Sequence, residues 1–300
     1  MDYAARVAAI ITTHKRAPEI LRRAIESVRN QTVPPSEIVV VDDAPDWERH
    51  GEIVALMARY ADSVRYIENW EHRGANGSRN IGIAETTAPI IGLLDDDDEW
   101  IADKLENLLP AFGEGIGIVY GTMENVKDGT SHHLIHDKPH YEGEAYDALI
   151  RYGNFIGGCS VPLLSRGACV RAGLFDEAMV SGQDVDLWRR IARNDKIAFV
   201  DKPVIRYYLT NDAISSSAYR RIEGRKQLLE KFGDDYRRYP DVMKKRVGGI
   251  LYYMIADGQI KEARRFRREY AQYVDIAYYV KLVVKGTAKR TMLMLGAQNR

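Results

Sequence analysis

Cysteine is scarce in this chain of 300 residues: Cys159 and Cys169 are its two, ten positions apart, with no pattern of Cys or His around them. A disulfide framework and a zinc site are therefore excluded, and two buried, inert thiols are expected. No apolar run is long enough to cross a bilayer, and the N-terminus enters a strand-like segment without a basic-then-apolar leader. A cytoplasmic protein is expected on those grounds. The chain also lacks net charge, 43 Lys and Arg balancing 43 Asp and Glu. It has no internal repeat or low-complexity tract. Glycine is missing from Ile11-Thr12-Thr13-His14-Lys15-Arg16-Ala17, which removes the Gly-rich phosphate loop that would follow the first strand of a nucleotidyltransferase.

The zero charge conceals an asymmetry. Residues 1–215 hold 23 Lys and Arg against 34 Asp and Glu, whereas residues 216–300 hold 20 against 9. Two parts with different jobs are expected. With hydrophobic residues at 45% and charged ones at 29%, the composition is that of a soluble globular protein.

Short β-branched runs at Val7 to Thr12, Glu37 to Val41, Val64 to Ile67 and Pro89 to Leu94 are nearly continuous in apolar residues, as strands buried on both faces are. Ile20, Leu21, Ala24, Ile25 and Val28 recur at helical spacing, as do Ile53, Val54, Met57 and Ala61. The alternation predicts a Rossmann-like α/β fold, a mostly parallel sheet flanked by helices. After Trp100 the pattern reads as Gly-rich and His-bearing loops from Gly113 to Tyr141, then helices at Glu144 to Arg151 and Asp184 to Arg193. From Ala218 onward it reads as a helical C-terminal extension, with one boundary near Ser215 to Ser217.

The strand ends carry the chemistry. Asp95, Asp96, Asp97, Asp98 and Glu99 follow an apolar strand and precede Trp100, at the place where an open α/β sheet presents its ligand crevice. Carboxylates fixed there suit Mg²⁺ or Mn²⁺ shared with a diphosphate, although an acid run is also the composition of a solvated loop. Asp42 and Asp43 end the second strand, as a further ligand edge or as a turn or helix cap. Gly74 to Asn80 is a small-residue loop entering a helix, with Arg79 set to meet negative charge.

The stretches VAAIITTHKR, AIESVRNQT, EIVVVDDAPD, NGSRNIGIA and LLDDDDEW, in that order, resemble the nucleotide-sugar-binding half of the family 2 inverting glycosyltransferases of GT-A fold. The likeness covers residues 5 to 110 and returns at GGCSVPLLSRGACVRAGLFDE and GQDVDLWRRI. It implies a catalytic domain over 1–215, with 1–110 as the nucleotide-sugar half and 111–215 as the acceptor half, and a basic helical region over 216–300. It further implies that Thr12 and Asp43 contact the base, that Arg79 lies near the ribose or phosphates, and that Asp95 and Asp97 fill the family's Asp-x-Asp positions. Asp95 then stands on the ribose side and Asp97 is the principal metal ligand, with Asp42 and Asp96 in the same nucleotide-binding set. The reaction implied moves a sugar from a nucleoside-diphosphate sugar, UDP by default, to a hydroxyl of a glycan or lipid-linked acceptor.

Inversion needs a carboxylate across the sugar from the departing diphosphate. Asp184 in Ser181-Gly182-Gln183-Asp184-Val185-Asp186-Leu187-Trp188 is the candidate base, with Asp186 its competitor and a helix cap its plainer role. Trp188 is either an apolar wall beneath an acceptor ring or part of the core, and Gly157 with Gly158 either admit the sugar or form a turn. Two departures stand out: Gln183 replaces the family's usual Glu before the base, and Thr210 stands where a His that helps bind metal or phosphate is common, leaving Asn211, Asp212 or water to substitute. His132, His133, His136 and His140 are irregularly spaced and read as an exposed loop.

In the basic region, Lys281, Lys285 and Lys289 fall on one helix face opposite Ile276, Val280, Val283, Thr287 and Met294. The helix either lies on the inner face of an anionic membrane through residues 275–295 or packs on the protein with its lysines in solvent. Nucleic acid is not expected as a partner, since no recognised binding module accompanies the charge. Besides the nucleotidyltransferase, the rival reading is a catalytically silent nucleotide-sugar-binding scaffold, motivated by Gln183 and Thr210.

Overall fold

A computed structural model describes residues 7–127, 130–134, 140–208 and 217–298. The chain divides into two compact units, Met1–Ala178 with Gln183–Thr210, and Met179–Gly182 with Asn211–Arg300.

In the first unit the apolar runs become strands β1 (Val7–Thr13), β2 (Glu37–Asp42), β3 (Arg65–Glu68) and β4 (Ile90–Asp95). These four are mutually parallel in the order β3-β2-β1-β4. Ile10, Ile11, Val40, Leu93 and Leu94 are buried because helices cover both faces. The first of these helices, α1 (Pro18–Arg29), starts with Pro18 in its opening turn and Glu19 beside it, and buries Leu21, Ala24, Ile25 and Val28. Next come α2 (His50–Met57) and α3 (Gly74–Ala84), the latter entering from the small-residue loop.

The sheet then continues through strands that alternation did not reveal: β5 (Glu99–Trp100), β6 (Ile116–Lys127), β7 (Thr130–Leu134), β8 (Leu163–Ser165) and β9 (Lys196–Tyr208). β8 runs antiparallel to β4 and to β6, β6 pairs parallel with β9, and β5 closes the far edge against β9. The loops expected from Gly113 to Tyr141 are in part the β6–β7 hairpin, which is a correction. Its cause lies in Gly117 and Gly121, which look like loop signals but sit inside β6. A Cβ at either would come within 2.6 Å of Asp195 or of the Lys202 carbonyl. Around these strands lie α4 (Lys104–Leu108), α5 (Tyr146–Tyr152), α6 (Arg166–Arg171) and α7 (Gln183–Ala192). Both cysteines are buried and free, and burial pushes the Cys169 thiol up to about 12.

The second unit is helical: α8 (Ala218–Lys231), α9 (Gly233–Arg237), α10 (Pro240–Ala256), α11 (Ile260–Glu269) and α12 (Ile276–Gln298). Ser217 caps α8 by accepting from the Arg220 N–H, while Ser215 and Ser216 of the expected boundary lie outside the described residues. The core is the apolar face of α10, with Val247, Ile250, Leu251 and Ile255. α12 packs on it through Leu282 and Gly286, so Val283 is half-buried and the exposed apolar line runs through Val284 instead. Met294's side chain lies outside the described residues. Among the described residues no helix is long and apolar enough to cross a membrane.

Candidate active site

Parallel register aligns the strand ends. Thr12 stands opposite Asp95 of β4, and Thr13 opposite Asp42 of β2, so the polar residues predicted at three strand ends share one edge of the sheet. Beyond β4 the chain turns at once: the Asp98 N–H donates to the Asp95 carbonyl at 3.1 Å, and β5 follows. Asp95 to Asp98 therefore occupy a single β-turn.

Four carboxylates this close repel one another, and the fold answers with cations and burial. Arg79, on α3, donates through Nη2 to Asp95 Oδ1 at 2.6 Å. Arg16, from the loop after β1, donates through Nε to Asp96 at 2.8 Å and through Nη2 to Asp97 at 3.1 Å. Arg23 of α1 donates to the Asp97 carbonyl at 2.7 Å and pairs with Glu99 at 3.0 Å. Below the turn the fully buried Lys104 of α4 donates to the Ser160 carbonyl at 2.6 Å, and burial pushes its ammonium pKa well down against the pull of Asp98. None of Arg16, Arg23, Lys104 or Ser160 was marked by the sequence. The one signal for Lys104 was its phase, on the same helix face as Leu105 and Leu108.

The acids are not equivalent. Asp96, expected among the nucleotide contacts, is buried and turned toward β1, where Thr13 Oγ1 donates to it at 2.7 Å. Burial lifts its pKa to about 6, with Arg16 and Thr13 opposing. Two partners from the first strand's end hold its oxygens. Asp98 is also buried, and its pKa is raised well above the ordinary value by burial and then by Asp95. Asp95 and Asp97 retain 38% and 25% side-chain exposure and are the two that face solvent.

At the second strand end, Asp42 accepts from the Ala44 N–H at 2.9 Å and from the Tyr66 hydroxyl at 2.8 Å. Both of its oxygens hold the turn, and the residue is buried. Asp43 accepts from Asn69 Nδ2 and from the Gly74 N–H, tying β2 to the start of α3, and His14 Nδ1 comes within 4.0 Å of it. Thr12 is half-buried beside them.

Asp184 lies in the first turn of α7, half-buried, and accepts from Asn154 Nδ2 at 2.9 Å. Burial raises its pKa above the ordinary carboxylate value, opposed by backbone N–H groups and Arg79, while Asp95 adds to the rise. Arg79 thus interacts electrostatically with both Asp95 and Asp184. Asn154, a residue missed in the sequence, also accepts from the Gly157 N–H and donates to the Gly157 carbonyl, fixing the turn at Gly157. Gly157 has φ +106°, and a Cβ there would lie 2.7 Å from Val161, so glycine is required. Gly158 faces open space. Trp188 is fully buried and donates to the Gly157 carbonyl at 3.1 Å. Of the two alternatives for Trp188, this placement fits the core: an indole without exposed surface supports the turn. Asp186 is likewise fully buried and paired with Arg190 at 2.6 Å.

Among the described residues, no group of three or more His, Cys, Asp or Glu is set to enclose a metal. The donor set fits a different kind of site, one or two hard carboxylates whose remaining positions are filled by phosphate and water. Asp97 is partly exposed, and Asp98 Oδ1 is buried without a hydrogen-bond partner. Thr210, Asn211, Asp212 and His136, and the side chains of His132 and His133, lie outside the described residues. His140 stacks on Phe199 at 3.8 Å.

Comparison with known proteins bears on the family and the fold. The Glycosyl transferase family 2 model matches residues 8–171. An uncharacterized glycosyltransferase of Rickettsia prowazekii is 29% identical over 237 residues, 77% of this chain and 72% of that protein. The UDP-Glc:alpha-D-GlcNAc-diphosphoundecaprenol beta-1,3-glucosyltransferase WfgD of Escherichia coli is 25% identical over 227 residues, 74% of this chain and 85% of that protein. In fold, the chain is similar to S. aureus TarS 1–349 in complex with UDP-GlcNAc, with TM-score 0.60 at 14% identity over 93% of this chain and 90% of that one. The GT-A architecture with added C-terminal helices follows, and the nucleotidyltransferase alternative falls away. The chain is a glycosyltransferase and belongs to glycosyl transferase family 2.

Proposed function

We propose that this glycosyltransferase moves a hexose from a UDP-sugar to a hydroxyl of a lipid-linked glycan acceptor, with inversion, in a single displacement. The observation that carries the reading is that two partly exposed carboxylate groups share the electrostatic pull of Arg79: Asp95 in its ion pair, and Asp184 held by Asn154.

Thr12 and Asp43 bind the base, Asp43 accepting a hydrogen bond from a base N–H. Arg79 meets the ribose and phosphates from the N-terminal part of α3. Mg²⁺ or Mn²⁺ held at Asp97, with Asp98 at hand, supplies charge neutralisation for the departing diphosphate when bound. Asp184 takes the acceptor hydroxyl's proton as that oxygen bonds to the anomeric carbon and the sugar–diphosphate bond breaks. No covalent enzyme intermediate forms, and the leaving group keeps the bonding electron pair. A raised carboxylate pKa suits the base, since proton transfer is most effective when the base is not too weak. UDP is supported by the UDP-Glc donor in WfgD's name and by the UDP-GlcNAc complex of TarS, and the lipid-linked acceptor by the diphosphoundecaprenol in WfgD's name.

Calorimetry of UDP binding tests the donor site. Affinity is expected to fall sharply in EDTA, because the acid turn then faces the diphosphate as like charge. Equal affinity with and without divalent cation overturns the metal role. A thermal-shift panel of UDP-, GDP- and dTDP-sugars tests the base, and a product whose anomeric configuration matches the donor's overturns inversion.

A further inference from the structure

The last helix of the second unit presents an apolar surface that the unit's own packing leaves uncovered. Ile276, Val280 and Val284 recur every four residues along α12 and are 68%, 53% and 64% exposed, and Met292 farther along is 69% exposed. Branched aliphatic side chains in a regular line, open to water, are the kind of patch that marks a docking surface. Lys281, Lys285 and Lys289 are also exposed and occupy an adjoining stripe of the same helix. No Asp or Glu follows Asp275 in the chain. Beside this surface, α10 and α12 enclose a groove of about 600 Å³, lined by Tyr252, Leu282, Ala288 and Met292 together with Lys285 and Lys289.

The charge selects the occupant. A second copy of this chain, meeting face to face in a two-fold dimer, would bring the same lysines against one another. A nucleic acid would satisfy the lysines but leave the aliphatic line unburied. A surface that is negative at its boundary and apolar just beneath satisfies both. We propose that the exposed face of α12 docks on an anionic lipid bilayer, lying in its plane. Ile276, Val280 and Val284 enter the boundary between headgroups and chains, the lysines reach the lipid phosphates with their stems along the apolar line, and the groove beside them admits an acyl chain. The proposal concerns where the protein sits and needs no donor, acceptor or metal, so it stands or falls separately from the proposed reaction.

The full-length protein is mixed with vesicles of phosphatidylcholine alone or of phosphatidylcholine with phosphatidylglycerol, and sedimented. Binding to the mixed vesicles alone is expected. Lys281→Gln and Lys285→Gln are each expected to weaken it roughly fivefold, and Val280→Asp with Val284→Asp by at least about tenfold. All four positions are exposed, so the melting profile and donor binding should stay as in the parent, which separates lost docking from lost folding. Equal binding to both vesicle types, or no loss in the Val→Asp variant, overturns the proposal. So does light scattering that shows a dimer disrupted by the same substitutions, which would assign the face to a second copy.

Discussion

The Lys104 ammonium lies 2.6 Å from the carbonyl oxygen of Ser160, whose hydroxyl in turn accepts the Asp95 N–H at 3.1 Å. One serine thus joins a buried cation to the first acid of the turn, and the same hydroxyl interacts with Asp98. Replacing Lys104 with an apolar chain of similar length strips the Ser160 carbonyl of its donor and removes the buried amine with which Asp98 interacts. Lys104→Met is expected to lower folding stability by about 1–3 kcal/mol and to weaken UDP binding. Chemical denaturation and calorimetry read the two effects. An unchanged UDP affinity would reduce Lys104 to a space-filling role.

In the proposed reaction Asp97 and Asp43 serve different ends of the donor, and their substitutions should part accordingly. Asp97→Asn is expected to blunt the dependence of UDP affinity on Mn²⁺. Asp43→Asn should weaken UDP binding even at saturating Mn²⁺. Asn is the milder choice at Asp43, since its one amide oxygen still accepts from Asn69 or from the Gly74 N–H, whereas Ala would release both. Metal titrations of both variants decide, and a parental Mn²⁺ dependence in Asp97→Asn would remove Asp97 from the metal site.

On α7 the two acids separate by burial. Asp184→Asn should leave donor affinity within a few-fold and reduce turnover by about 10² to 10⁴. Asp186→Asn should act on the fold instead, because Arg190 loses the partner it holds at 2.6 Å inside the protein; about 3 kcal/mol of stability is at stake. Turnover and denaturation on the pair test this. A large loss of turnover in a stably folded Asp186→Asn enzyme would move the base two residues along.

The pH profile carries the mark of the same group. As the proposed base, Asp184 must be ionised to accept a proton, and burial raises its pKa in the folded protein. Activity is therefore expected to decline on acidification at a pH above the ordinary carboxylate value of about 3.9. Stability runs the other way for this residue. The folded state binds the proton more tightly than the unfolded chain, so its contribution disfavours folding as pH rises from the unfolded pKa through the folded one. An acid limb of kcat/KM at or below the ordinary value would speak against Asp184.

Strands β1, β2 and β4 could be read from sequence because burial on both faces makes each one nearly all apolar, whereas β3, exposed at both ends, was marked only by its short β-branched run. β6 and β9 could not, since glycines lie where neighbouring chains approach too closely for a side chain, and β9 carries Asp201 and Lys202 at exposed positions. The acid turn was legible as a cluster but not acid by acid. Which members face solvent is decided by Thr13 and Arg16, about eighty residues away in sequence, and no local pattern records that pairing. Trp188 and Asp186 show the same limit on α7, where helical phase leaves the depth of burial open.

The four residues Met179–Gly182 belong to the helical unit although they precede α7 in the chain. The Val180 N–H donates to Gln227 at 3.0 Å, and a Cβ at Gly224 would lie 2.5 Å from the Ser181 carbonyl, so glycine is needed where α8 meets this segment. The consequence is for protein engineering. A chimera that exchanged the helical region with a relative at a single junction near residue 211 would leave a foreign helix facing the peptide that leads into Asp184. Recombination that respects this architecture needs three crossovers, and a library built with one should yield folded but catalytically poor hybrids.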